Sequence, residues 1–158
     1  GKGFAERLVQ AQPSDAAGHY WLALNLAGLA DVGSMLKGRK LLPSILDGLR
    51  RSVALDETYD HAGPHRVLGR IYYEAPRPPF SVGSLEKSLR HLTAAVRLAP
   101  EVSTNHLYLA ETLIRVGQKA KARQELEATL KATRAAIQPQ NLGEDHQKAR
   151  RLLAKLGE

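Results

Sequence analysis

The chain has 158 residues, 43% hydrophobic and 25% charged, a balance that suits a single globular domain over 1–158 and excludes a disordered chain. It holds no cysteine, which excludes a disulfide scaffold, a zinc–thiolate site and thiol catalysis. The net charge of +7 points to acidic partners, yet the basic residues never run to five in a row, so they read as solvated helix surface and nucleic acid is not expected as a partner.

Taken in chain order, the elements are all helical. Phe4 to Gln12, stopped by Pro13, reads as one helix. A stripe of His19, Leu22, Ala23 and Leu26 follows, with the 0, 3, 4, 7 spacing of one helix face. Ile45, Leu49, Ser52, Val53 and Leu55 form a second face on a second helix. The same two patterns then return. Pro64 fits a first helical turn, and His65, Leu68, Gly69 and Tyr72 repeat the first stripe. Ser84 can cap the next helix, on which Ser88, Leu92, Ala95, Val96 and Leu98 repeat the second stripe before Pro100. Ser103 or Thr104 can cap the third copy of the first stripe, His106, Leu109, Ala110 and Leu113. Gly117 breaks it from Ala122, Leu126, Thr129 and Leu130. Asp145 to Leu156 reads as an amphipathic capping helix.

The unit is therefore helix A, turn, helix B, occurring about three times. The fold class is all-α: a helix-turn-helix solenoid of about three A/B pairs, with a partial helix at the N-terminus and a capping helix at the C-terminus. The anchoring histidines stand 46 and then 41 residues apart, longer than the roughly 34 of a uniform repeat of this type. The extra length is expected between the A and B helices, over 31–42 in the first unit and 75–83 in the second. Three prolines in the latter, at 76, 78 and 79, favour an ordered extended loop.

Leu109, Ala110, Gly117, Ala122 and Leu126 resemble a tetratricopeptide (TPR) repeat, with Pro100 where that repeat usually ends. The stretch from Ala62 to Leu68-Gly69, then Ala75-Pro76, Pro79-Phe80-Ser81-Val82-Gly83-Ser84-Leu85-Glu86-Lys87-Ser88, His91-Leu92 and Val96 to Pro100, resembles the T component of TRAP-type transporters. That resemblance runs from about Ala16 to Leu130. It implies a periplasmic or membrane-associated helical protein that contacts the transporter's substrate-binding protein. The alternatives are, for function, a general TPR protein–protein interaction module unrelated to transport and, for location, the cytoplasm. No span of about 18 apolar residues is present, and neither a leader nor a membrane anchor is visible in this chain.

Catalysis is not expected. The phosphate-loop and Gly-x-Gly-x-x-Gly signatures are absent. His61 and His65 stand four apart but lack the intervening glutamate of a metalloprotease helix, so no metal and no cofactor is expected. His19, His65 and His106 recur in register and are expected to pack alike, each with a ring nitrogen on a nearby carbonyl. Binding is the better reading. In a TPR-like repeat the A helices line the concave face, and residues one and five beyond each anchoring histidine point there: Tyr20 and Leu24, Arg66 and Arg70, Leu107 and Glu111. Tyr73 and Tyr108 are their neighbours. This mixture suits a protein partner, or a small acidic or amphipathic ligand paired with Arg66 and Arg70. The competing reading gives those arginines to internal ion pairs with Glu74 or Asp60. Phe80, among its prolines, is expected to tuck beneath the second helix pair, with a role as a rim anchor for a partner as the alternative.

Overall fold

The structure is a computed structural model that describes residues 2–31 and 35–157. Helix accounts for 78% of the described residues, and no strand forms among them. Eight helices are described, and they group into two compact units, residues 1–60 and 61–158.

The first unit holds α1 (Lys2–Ala11), α2 (Ala16–Asp31) and α3 (Met35–Leu55). Its core joins Tyr20, Ala23 and Leu26 of α2 with Ile45, Leu46 and Leu49 of α3, all buried. Gly48 permits the close approach. A Cβ there would lie 3.1 Å from the His19 carbonyl oxygen and 3.2 Å from Ala23 Cβ. Ser52 seals the crossing by donating its buried hydroxyl to the Ala16 carbonyl at 3.0 Å. The expected insert over 31–42 resolves differently. From Met35 onward it is helix, so the extra length extends α3 to 21 residues. Residues 32–34 lie outside the described ones. Long-chain residues such as Leu36, Lys37, Arg39 and Lys40 cost little to hold in a helix, and this explains the extension.

The second unit holds the rest of α4 (Tyr59–Glu74), then α5 (Leu85–Leu98), α6 (Ser103–Arg115), α7 (Lys119–Lys131) and α8 (Asn141–Gly157). α4 opens unusually. Asp60, His61 and Ala62 have φ of 48°, 53° and 60°, left-handed values that cost non-glycine residues about 1–2 kcal/mol each. Right-handed winding starts only with Gly63 and Pro64, so Pro64 does occupy a first right-handed turn. Contacts with residues 40 positions away in the chain hold the strained turn. Tyr20 donates its hydroxyl to Asp60 at 2.7 Å, His61 Nδ1 sits 3.0 Å from Glu101, and Ala62 is fully buried.

The predicted stripes are the buried ones. His65, Leu68, Gly69 and Tyr72 are all buried, as are His106, Leu109, Ala110 and Leu113. On the B helices Ser88, Leu92 and Ala95, and then Ala122, Leu126 and Thr129, face the core. Where α4 meets α5, a Cβ on Gly69 would fall 2.5 Å from Leu92 Cγ, a clash that glycine avoids. Ser84 caps α5 as expected, accepting from the Lys87 amide at 3.2 Å.

Ser103 and Thr104 do not cap α6. Val102 takes the cap position without a side-chain bond, and both hydroxyls donate to Asp145 Oδ2 of α8, at 2.6 and 2.7 Å. Both residues stand inside α6, past the cap position, and their hydroxyl protons go to a charged acceptor, so the hydroxyls serve the tertiary contact. The segment between α7 and α8 also returns to this point. Ser103 N donates to Arg134 O, and Arg134 N donates to Glu101 O, at 2.8 and 3.1 Å.

Candidate functional site: an arginine–tyrosine stack on α4 and α6

Arg70 on α4 lies between two tyrosine rings. Its guanidinium carbon is 4.5 Å from the Tyr108 centroid on α6 and 5.0 Å from that of Tyr73. Arg115 adds a fourth layer, 4.5 Å from the Tyr73 ring, while its Nη1 donates to the Tyr73 carbonyl at 2.7 Å. The order is Tyr108, Arg70, Tyr73, Arg115. Helical spacing builds it, because Arg70 and Tyr73 are three apart on α4. Each cation faces the negative face of a ring, and the partial burial of Arg70 strengthens its share of the attraction.

Carboxylates complete the cluster. Arg70 Nε contacts Glu74 at 2.6 Å and Nη1 contacts Glu111 at 2.8 Å. Lys148 of α8 reaches the other Glu111 oxygen at 2.7 Å. Burial opposes the charge on Arg70, but the Glu111 and Glu74 carboxylates outweigh it and hold the guanidinium more firmly protonated than usual. The internal pair with Glu74 foreseen for Arg70 is therefore present.

The other predicted positions are distributed as follows. Arg66 is buried and donates to the Asn105 side chain and the His61 carbonyl, both at 3.2 Å. Leu107 lies in the core with Ala110, Leu126 and Ala149, because α8 packs across α6 and covers the position that the repeat pattern assigned to an open face. Tyr20 and Leu24 belong to the first unit. Tyr20 is buried with its ring edge against Trp21 and Tyr59, and Leu24 is half-buried.

Phe80 overturns its favoured expectation. It is 72% exposed, not docked. Backbone bonds of the loop hold its shape. Gly83 N donates to Pro76 O at 2.8 Å, Phe80 N to Arg77 O at 3.1 Å, and Ser84 N to Tyr72 O at 2.9 Å.

The histidines divide. His19 Nε2 lies 2.8 Å from the Pro13 carbonyl and His106 Nε2 lies 2.8 Å from that of Pro100, the same six-residue step in both. His65 departs from this expectation, with its Nδ1 2.9 Å from His91 Nδ1. The left-handed turn over 60–62 precedes it and removes the equivalence of the preceding backbone. His106 also places Nδ1 2.6 Å from Glu125. Burial lowers its pKa, but the Glu125 bond, the Pro100 carbonyl and the Glu125 charge together raise it above the ordinary value.

The roles of Arg115, Lys148 and His91 were missed by sequence reasoning. His91 stands in the stretch that resembles the T component, but that stretch does not name its partner; the roles arise from pairs 26 or more residues apart, as with His65 and His91. A cavity of about 410 Å³ in the first unit also had no sequence signal. Val9, Leu22 and Leu26 line it, and the exposed Asp47–Arg51 pair is among its polar groups.

Among the described residues no helix is long and apolar enough to cross a membrane, and no three His, Asp or Glu side chains gather to hold a metal ion. No curated protein matches the chain. The family described as TRAP transporter T-component matches residues 2–158, essentially the whole length, and the chain therefore belongs to that family.

Proposed function

We propose that this protein is a non-catalytic periplasmic accessory of a TRAP-type solute transporter, and that it binds the transporter's substrate-binding protein. Family membership over residues 2–158 supports the transport role. The observation that carries the interaction is Phe80, 72% exposed on a loop whose own backbone bonds hold it in shape. A pre-shaped loop presenting an aromatic ring loses little entropy on docking, and this is how interface anchors work. The stack of Tyr108, Arg70, Tyr73 and Arg115 supplies a second, cationic contact. An acidic group reaching Arg70 would take the place of Glu111, which already bridges Arg70 and Lys148. A small acidic ligand would bind by the same exchange.

The test is direct binding of the purified chain to the substrate-binding protein encoded with it. Saturable association is expected, weakened about tenfold or more by Phe80→Ala in a chain that melts as the wild type does. A folded chain that does not associate with that protein, or that associates equally well as Phe80→Ala, overturns the reading.

A further inference from the structure

His19, His61 and His106 each set a ring nitrogen against an oxygen. His65 and His91 instead set nitrogen against nitrogen, with their Nδ1 atoms 2.9 Å apart. At that distance two imidazole Nδ1 atoms hold one proton between them, one donating and the other presenting its lone pair. The rings come from different helices, α4 and α5, and meet at 5.2 Å between centroids with a 44° tilt. Tyr72 stacks on His91 at 5.7 Å and 14°, which fixes the plane of that ring. His65 is buried and His91 is half-buried, so the pair opens to solvent on the His91 side.

Converging imidazole nitrogens are also the donors of borderline divalent ions. A tetrahedral ion with metal–nitrogen bonds of about 2.0–2.1 Å holds its two nitrogens about 3.3 Å apart, so the 2.9 Å pair must part by only about 0.4 Å. Neutral nitrogen donors favour zinc, nickel or copper over magnesium or calcium.

We propose that His65 and His91 bind one divalent transition ion of the zinc class, which cross-links α4 to α5. Each Nδ1 lone pair forms one bond to the ion, and water fills the remaining positions. The ring that carried the shared proton at Nδ1 loses it there and takes one at Nε2, so both rings stay neutral and no net proton is released.

The experiment is titration of the full chain with zinc sulfate alone, at neutral pH in a buffer that does not bind metal. It is followed by calorimetry, by thermal melting and by the ¹⁵N spectrum of the histidine rings. One saturable site per chain is expected, with a rise in melting temperature and movement of two Nδ1 resonances. His91→Gln should weaken binding roughly tenfold or more and abolish the thermal shift, while His61→Gln and His146→Gln leave both unchanged. Binding that survives His91→Gln, binding lost instead in His61→Gln, or a folded chain with no saturable binding overturns the proposal. The ¹⁵N spectrum needs only the wild type, so it decides the matter even if His91→Gln fails to fold: shifts at other histidines, or none, overturn it.

Discussion

At the scale of single residues, two positions show how sharply packing and charge constrain this chain. Gly69 lies where a Cβ would meet Leu92 Cγ at 2.5 Å. Gly69→Leu should therefore destabilise by about 1–3 kcal/mol through overpacking. Gly143 has nothing within 4 Å, so Gly143→Ala should instead stabilise α8 by roughly 0.5–1 kcal/mol. Chemical denaturation of the two variants reads both signs. His106 is the second case. Its two nitrogens face the Glu125 carboxylate and the Pro100 carbonyl, both acceptors, an arrangement that favours the protonated ring. Its folded pKa is raised above the ordinary value. A raised pKa contributes stability that is full below the unfolded value near 6.5 and is lost as pH climbs through the folded pKa. Stability should fall from about pH 6.5 upward by this contribution, and His106→Gln should flatten that part of the profile. Denaturation midpoints taken at mildly acidic and mildly alkaline pH test it, and an unchanged slope in the variant would count against it.

At the scale of elements, loops and helix ends matter more than helix interiors. The 75–84 loop keeps its shape through its own backbone bonds, and Gly83 is the tightest point, since a Cβ there would fall 2.0 Å from the Ala75 carbonyl oxygen. Gly83→Ala should destabilise strongly, whereas Phe80→Ala should leave the melting temperature within about a degree because the ring is exposed. The N-terminus of α6 is tied to α8 by one carboxylate. Ser103 and Thr104, both buried, donate to Asp145. Asp145→Ala would remove the acceptor of two buried hydroxyls and should cost about 1–3 kcal/mol. Hydrogen exchange should speed up first in the N-terminal half of α8; uniform acceleration across the chain would show that the tie is not local.

At the scale of the whole molecule, charge is spread over solvated helix faces. Lys37, Arg39 and Lys40, then Lys119, Lys121 and Arg123, then Arg150 and Arg151, are all exposed. A chain of net charge +7 is drawn to an acidic partner by its summed field. Under the proposed function, association with the substrate-binding protein should slow about tenfold or more between low and physiological ionic strength, while dissociation changes less. Stopped-flow rates against salt decide this; an on-rate indifferent to salt would place the affinity in the Phe80 contact alone.

The sequence by itself determined the helical class and the faces that go inward. The 0, 3, 4, 7 stripes headed by His65 and His106, and the small residues Gly69 and Ala110 within them, became the buried lines of α4 and α6. This information is local: a stripe needs only the 3.6-residue period, and a small residue signals close approach wherever its neighbour comes from. Tertiary structure decided which groups meet. It paired His65 with His91, sent Ser103 and Thr104 to Asp145, placed Arg70 between Tyr73 and Tyr108, covered Leu107 with α8, and left Phe80 outside. Except for the three-residue step from Arg70 to Tyr73, no periodicity encodes those contacts. In the other pairs a polar side chain takes a partner that the packed helices bring within reach, 26 to 42 residues away.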